Sequence, residues 1–272
     1  IDSVHEGAFR GGFGNSVLSE PFRHAAITSE SLSEFVASTY TAGNITVVGS
    51  DVAHSDLVAY ATEAFGDVAT VDSAGPSATY IGGTESRYGC ALGWSQFALG
   101  FEGAGSDSGD VVTSVVLEKL LFGGIAIPYG NGASKLAQNV SSDPSAQLET
   151  FNFNYKGTGL IGGVLTVDSS GAGEAVKTFS GTVKEILAGG ITDADVNRAK
   201  AQAAAAVLNM SSAERAAFYA SSTSAVSPEA FAASIADVTA AQVKTFAKKV
   251  GSSKPVVVAS GNVDAVPYAD SL

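Results

Sequence analysis

The chain has 272 residues, of which 45% are hydrophobic and 15% are charged, so its composition is globular and argues against a disordered protein. Its net charge of −12 repels phosphate backbones and argues against nucleic acid as a partner. Such a charge would attract a basic peptide or a basic subunit, although solubility alone also accounts for it. No apolar run approaches the roughly 18 residues of a membrane-spanning helix, so no transmembrane helix is expected.

The first 70 residues predict three helices and one strand. Residues 2–18, 28–41 and 53–65 are predicted to be helical, and the β-branched residues within 44–50 predict a buried strand. The segment Asp67–Ser77 is rich in Asp, Ser, Gly and Pro, which favour turns, and it predicts a linker.

The middle of the chain predicts two strands, a helix and a glycine-rich loop. Cys90, the only cysteine, lies in an apolar stretch and is expected to be an inert small hydrophobic residue, with no partner for a disulfide or a thiolate cluster. The predicted elements are strands over 78–83 and 89–101, a helix over 110–122, the loop over 123–132 and a short helix near 133–140.

The second half of the chain predicts a hairpin followed by helices. Residues 146–155 alternate in polarity, and a Gly-Thr-Gly turn leads into a second strand over 160–168. An amphipathic helix follows over 176–187, and Thr192 with Asp195 forms a capping-box signature for a long Ala-rich helix. Hairpins followed by helices predict an α+β fold with antiparallel sheets flanked by helices.

The chain also repeats itself. Ile27–Val52 aligns without gaps to Val238–Val263 at an offset of 211 residues, and each copy reads as a Thr cap, an amphipathic helix, a turn and a strand. In the first copy, Leu32, Phe35 and Val36 lie at helical spacing and are expected to form a buried face. We interpret the match as an internal duplication.

The length of the repeat predicts the domain organisation. With a unit of about 211 residues, the chain holds about one and a third copies. Residues 1–70 are then the C-terminal part of a first half, and residues 71–272 are a complete second half. A two-copy protein would have about 420 residues, with about 150 of them upstream of Ile1.

A search for catalytic chemistry assigns no catalytic, cofactor-binding or metal-binding residue. A zinc peptidase needs two histidines one helical turn apart with a neighbouring carboxylate, whereas His5, His24 and His54 are far apart in sequence. The nucleophile-elbow motif G-x-S-x-G does not occur. The loop 123–132 is open to two interpretations, a flexible connection or a loop that contacts a substrate or a partner.

Several segments together resemble the pitrilysin-type metallopeptidases, and more narrowly the core-protein 2 branch of that family, found in the mitochondrial ubiquinol–cytochrome c oxidoreductase (respiratory complex III). The likeness covers nearly the whole chain, and the C-terminal motif is its most specific part. The segments are the helix Asp2–Phe9, the loop 123–132, Phe151–Tyr155 and the end of the chain from Ala247 to Leu272.

The resemblance implies two homologous halves, each an antiparallel sheet flanked by helices. It also implies a non-catalytic subunit on the matrix side of the mitochondrial inner membrane, peripheral to it, in a heterodimer with a core protein 1 homologue. Its further partners would be the cytochrome b, cytochrome c1 and iron–sulfur subunits, which hold the cofactors. In active relatives the zinc motif lies in the first half, upstream of the position that matches Ile1.

Two other functions remain open. The chain could be a substrate-holding subunit of the mitochondrial processing peptidase, since an acidic surface and the loop 123–132 suit a basic presequence. Such a subunit usually carries a longer glycine loop, which favours the assembly subunit. A secreted binding protein is the third interpretation, since glycosylation sequons begin at Asn44, Asn139 and Asn209.

Overall fold

The computed structural model describes residues 1–19, 21–70, 78–123, 134–221 and 226–272. These residues form two units. The larger unit comprises Ile1–Ser16, Ser77–Leu208 and Glu229–Leu272, and the smaller comprises Val17–Pro76 and Asn209–Pro228.

A five-stranded sheet organises the larger unit, with the order β1-β5-β2-β4-β3. Neighbouring strands are antiparallel except for β1 and β5, which pair in parallel, so the sheet is mixed where the sequence predicts antiparallel pairing. The strands are β1 (Glu85–Gly89), β2 (Trp94–Glu102), β3 (Gln147–Tyr155), β4 (Thr158–Asp168) and β5 (Val256–Gly261).

Ten α-helices lie within the described residues, and α2, α3 and α8 belong to the smaller unit. They are α1 (Asp2–Ala8), α2 (Ser29–Thr39), α3 (His54–Phe65), α4 (Val111–Phe122), α5 (Lys135–Val140), α6 (Ala172–Leu187), α7 (Asp193–Leu208), α8 (Ser212–Ser221), α9 (Pro228–Asp237) and α10 (Ala240–Ser252).

Alternation along β2 divides the core of the larger unit into two layers. Ala98 joins the cluster that α1 covers on one face of the sheet, where Val4 is fully buried. Phe97 points to the opposite face, and its ring lies edge-on to that of Phe179 of α6 at 5.9 Å. Strand residues therefore alternate between α1 and the helices on the other side, as a sheet covered on both faces requires.

The hairpin and the helix caps confirm the local sequence predictions. Tyr155 of β3 pairs with Thr158 of β4, and Gly157 in the turn has a φ of 79°, a conformation that glycine adopts without a steric penalty. The predicted capping box opens α7, because Thr192 Oγ1 accepts from the Asp195 amide at 3.2 Å while the Asp195 carboxylate accepts from the Thr192 amide at 3.2 Å.

Four local predictions are wrong. The strand predicted over 78–83 is reduced to an isolated bridge at Tyr80, and β1 begins only at Glu85. The first helix ends at Ala8, because Phe9 is extended and forms a bridge with Tyr80. Residues 44–50 form no strand in the described part of the chain, where no other strand runs beside them in a ladder. The strand predicted over 89–101 is interrupted, and Cys90 is exposed in the connection rather than buried in a strand. Most of the predicted linker (71–77) and of the glycine-rich loop (124–132) lies outside the described residues.

Candidate functional site

The three histidines lie in different structural settings. His5 belongs to α1 of the larger unit, whereas His24 lies in a short 3₁₀ helix (Pro21–Ala26) and His54 begins α3. Within the described residues, no three His, Cys, Asp or Glu side chains gather closely enough to hold a metal ion.

His5 has a structural role. Its Nδ1 lies 3.1 Å from the Ile1 carbonyl oxygen, which can only accept, so Nδ1 carries the proton. Nε2 lies 2.8 Å from the Tyr155 hydroxyl, which donates to it in the tautomer that carries its proton on Nδ1. Burial raises the pKa of Tyr155, which keeps that hydroxyl protonated. The contact between His5 and Tyr155 joins α1 to β3 beside the core, and the Phe153 ring centroid lies 5.1 Å from that of the imidazole.

Helix α2 carries an exposed apolar face. The exposed fractions of Leu32, Phe35 and Val36 are 53%, 57% and 50%, although the sequence pattern predicts that they are buried. No residue of α2 is buried. We call these three residues the α2 apolar face. Contiguous exposed apolar side chains of this size are typical of interaction surfaces.

The second copy of the repeat contains the equivalent helix, α10, with its apolar face buried. Both α2 and α10 begin with a threonine in a capping box, Thr28 and Thr239, so the local predictions hold for both copies. In α10, however, the equivalent residues Val243, Phe246 and Ala247 are only 0%, 3% and 0% exposed. The two helices share a sequence pattern but differ in burial, which indicates that α2 lacks a covering layer.

The rest of the smaller unit is similarly open. Neither α3 nor α8 has a buried residue. Val58, Tyr60 and Phe65 of α3 are 48%, 68% and 42% exposed. The larger unit, in contrast, buries most of its phenylalanines to 6% exposure or less: Phe9, Phe97, Phe101, Phe122, Phe151, Phe179 and Phe246. The apolar surface of the smaller unit is therefore suited to contact with further polypeptide.

Sequence reasoning missed a cavity in the larger unit. It lies beside the C-terminal parts of α6 and α10, has a volume of about 500 Å³, and is called the α6–α10 cavity below. Its polar residues, Ser180, Lys184, Lys248 and Ser252, come from two helices far apart in sequence and match no motif. Only the spacing of Ser180 and Lys184, four residues apart on one helix, was visible in the sequence. In the described part of the chain no helix combines the length and apolarity needed to cross a membrane.

Comparison with known proteins identifies relatives across the whole chain. Residues 26–203 match the peptidase M16 inactive domain. The chain is 31% identical to mitochondrial-processing peptidase subunit alpha-2 of Dictyostelium discoideum, over 100% of this chain and 63% of that relative. It is 30% identical to cytochrome b-c1 complex subunit 2, mitochondrial, of Mus musculus, over 100% of this chain and 62% of that relative. The subunit 2 of Cryptococcus neoformans is also 30% identical, with 100% and 63% covered.

A solved structure shares the fold. The chain matches one described as "Complex III2 from Candida albicans, Inz-5 bound" with a TM-score of 0.81 and 16% identity, over 99% of this chain and 68% of that chain. This likeness confirms the predicted α+β class with a helix-flanked sheet. The chain spans only 62–63% of the length of the relatives named above.

Proposed function

The chain belongs to the peptidase M16 family through its inactive domain, and on that premise we propose that it is a non-catalytic core subunit of mitochondrial respiratory complex III. The match over the whole chain to relatives named cytochrome b-c1 complex subunit 2 carries the proposal. Such a subunit supports electron transfer from ubiquinol to cytochrome c by assembly and performs no reaction itself.

The α2 apolar face supports an assembly role. Leu32, Phe35 and Val36 are each at least half exposed. Covering such residues stabilises an assembly by roughly 25 cal/mol of free energy per Å² of apolar area that is removed from water. The proposed partners are a core protein 1 homologue, in a heterodimer, and the cytochrome b, cytochrome c1 and iron–sulfur subunits. We place the subunit on the matrix side of the inner membrane, peripheral to it, and propose that it holds no cofactor.

We also propose the domain organisation that the repeat predicts. Residues 1–70 end a first M16-type half and residues 71–272 form the second. Because α10 is covered by helices and strands that precede it, we expect α2 to be covered by the corresponding elements of the first half. At an offset of 211 residues, those elements precede Ile1. An intact mass near 27 kDa for the native polypeptide, with an unprocessed terminus, would contradict this organisation.

Affinity purification tests the main proposal. The full-length protein, tagged and extracted with a mild detergent, is expected to co-purify with a membrane complex that shows the absorption of b- and c-type haems. Its deletion is expected to lower the amount of that complex. Recovery of the tagged protein in a soluble heterodimer, without haem, would contradict the proposal.

A second candidate function is the non-zinc, substrate-holding subunit of the mitochondrial processing peptidase. The 31% identity to a relative named mitochondrial-processing peptidase subunit alpha-2 favours it, as does the net charge of −12, which attracts basic presequences. Cleavage of a basic presequence peptide by the purified heterodimer, absent when this protein is omitted, would establish this function in place of the first.

A further inference from the structure

The α6–α10 cavity has the size and lining of a small-molecule site. Its volume of about 500 Å³ lies within the roughly 300–1,000 Å³ typical of ligand pockets. Leu99, Phe101, Leu187 and Val257 contribute buried apolar side chains to its wall.

A buried hydroxyl without a partner lines this cavity. Ser180 is 3% exposed, and its Oγ has no hydrogen-bond partner among the described residues. Leaving a buried polar group unsatisfied is unfavourable, and native proteins rarely do so without a functional reason. A ligand oxygen would accept from this hydroxyl and remove the penalty after a small shift of the Ser180 side chain, because its Oγ has almost no accessible surface in the unliganded cavity.

The charges at the cavity are one-sided. The chain carries 27 acidic and 15 basic residues, yet Lys184 and Lys248 are the only ionisable side chains among those that line this cavity in the described structure. Both are exposed, as expected for residues at a mouth. Lys184 donates to a main-chain oxygen of Leu272, and Lys248 makes no ion pair with the described residues. The mouth therefore favours an anion.

The positions of the polar groups determine the orientation of a ligand in the cavity. Ser180 and Lys184 lie four residues apart on α6, so they occupy one face of the helix one turn apart. A head group at the lysines can thus place an oxygen atom near the Ser180 hydroxyl. The apolar wall then surrounds a hydrocarbon chain attached to that head group.

We propose that the α6–α10 cavity binds an anionic amphiphile, with one acyl chain against the apolar wall and its acidic head group at Lys184, Lys248 and Ser180. A phospholipid and a free fatty acid share this chemistry. The proposal does not depend on which complex contains the protein, since every lining residue belongs to the larger unit.

Calorimetric titration of the full-length protein, below the critical micelle concentration of each probe, tests the ligand class. Dodecyl phosphate, laurate, dodecyl maltoside and inorganic phosphate separate the head group from the chain. Saturable binding of dodecyl phosphate or laurate is expected, at least tenfold tighter than that of neutral dodecyl maltoside, with no binding of inorganic phosphate. Tighter binding of the phosphate amphiphile indicates a phospholipid source, and tighter binding of laurate indicates a fatty acid.

Variants place the ligand in the cavity. The double variant Lys184→Gln, Lys248→Gln is expected to weaken binding of the anionic probe at least tenfold, whereas Lys156→Gln, at an exposed lysine outside the lining, leaves it unchanged. Ser180→Ala is expected to weaken binding about two- to tenfold while leaving the thermal midpoint of the free protein unchanged or raised, since an unpartnered hydroxyl is removed. Ala188→Phe, at an exposed position, narrows the mouth and is expected to reduce binding.

Three results would overturn the proposal. The first is the absence of binding for both anionic probes. The second is equal affinity for dodecyl phosphate and dodecyl maltoside, which indicates adsorption of the chain without recognition of the charge. The third is unchanged affinity in the double lysine variant when its thermal midpoint matches that of the wild type.

Discussion

The guanidinium carbon of Arg87 lies 4.1 Å from the ring centroid of Tyr268, and the same guanidinium holds the end of the chain against β1. Its Nη2 donates to the carbonyl oxygens of Val263 and Val266 at 2.7 and 2.8 Å. Nη1 forms an ion pair with Glu85 at 2.9 Å. One side chain thus joins the edge strand to the segment that comes after β5.

Arg87→Lys is expected to destabilise the protein. A lysine has a single ammonium group and cannot reproduce the planar fork that reaches both carbonyl oxygens and stacks on Tyr268. Loss of the second charge-assisted hydrogen bond and of the stacking predicts about 2 kcal/mol lower free energy of unfolding. Urea denaturation measures the difference. Arg10→Lys, at an exposed residue, is the control and is expected to change stability by less than about 0.5 kcal/mol.

The repeat supplies a matched pair of phenylalanines for testing the domain proposal. Phe246 of α10 is 3% exposed, so Phe246→Ala is expected to lower the free energy of unfolding by about 3–5 kcal/mol. Phe35 of α2 is 57% exposed, so Phe35→Ala in the 272-residue chain is expected to change it by less than about 0.5 kcal/mol.

The same pair of variants in the longer natural protein gives the decisive comparison. If an earlier half covers the α2 apolar face, Phe35→Ala becomes a large-to-small core substitution and is expected to be destabilising by several kcal/mol there. Chemical denaturation of both lengths measures this. An equally small effect of Phe35→Ala in both lengths would show that no segment of the protein covers this face.

Local sequence signals predicted which helix caps and hairpins form better than they predicted which helix faces are buried. The caps Thr28, Thr192 and Thr239 and the β3–β4 hairpin follow from neighbouring residues alone, and the structure confirms them. The exposure of Phe35 does not follow from its helix, because burial depends on what covers the face. The β-branched run within 44–50 predicts a strand for the same local reason, yet a strand requires a partner to pair with.

The features formed by distant segments gave no signal in the sequence. The α6–α10 cavity combines Ser180 and Lys248, which lie on helices far apart in the chain and carry no shared motif. The parallel pairing of β1 with β5 joins Glu85 to Val257, across nearly the whole larger unit. Both arise from tertiary packing, which periodicity and propensity do not contain.

The capping box of α7 is expected to contribute stability that depends on pH. Although partial burial raises the pKa of Asp195, hydrogen bonds from Thr192 and the ion pair with Arg198 outweigh it, and the pKa is lower than usual. A carboxyl group with a lowered pKa in the folded state stabilises the protein above its ordinary pKa, near 3.8, and loses this contribution as the pH falls through the folded value. The stability difference between wild type and Asp195→Asn is therefore expected to shrink between pH 5 and about pH 2.

Thr192 provides the control for this pH dependence. Thr192→Ala removes the cap and is expected to lower the free energy of unfolding by about 1 kcal/mol at neutral pH, whereas Thr192→Ser keeps the hydroxyl and has a smaller effect. Urea denaturation at several pH values measures both. A difference between wild type and Asp195→Asn that stays constant down to pH 2 would contradict the assigned role of the carboxylate.

Two glycines are expected to respond to the same substitution with opposite signs. A Cβ on Gly162, in β4, would lie 2.2 Å from the Leu99 carbonyl oxygen and 2.4 Å from Cζ of Phe151. Since neither neighbour can move without disturbing the sheet, Gly162→Ala is expected to lower the free energy of unfolding by about 2 kcal/mol or more. Gly181 lies inside α6 and is exposed, and apart from its own helical backbone no described atom lies within 4 Å of its Cβ position. Gly181→Ala is therefore expected to raise stability by about 1 kcal/mol, because alanine loses less conformational entropy in a helix. Thermal denaturation monitored by circular dichroism distinguishes the two signs, and a stabilising Gly162→Ala would show that β4 does not approach Leu99 as closely as the structure indicates.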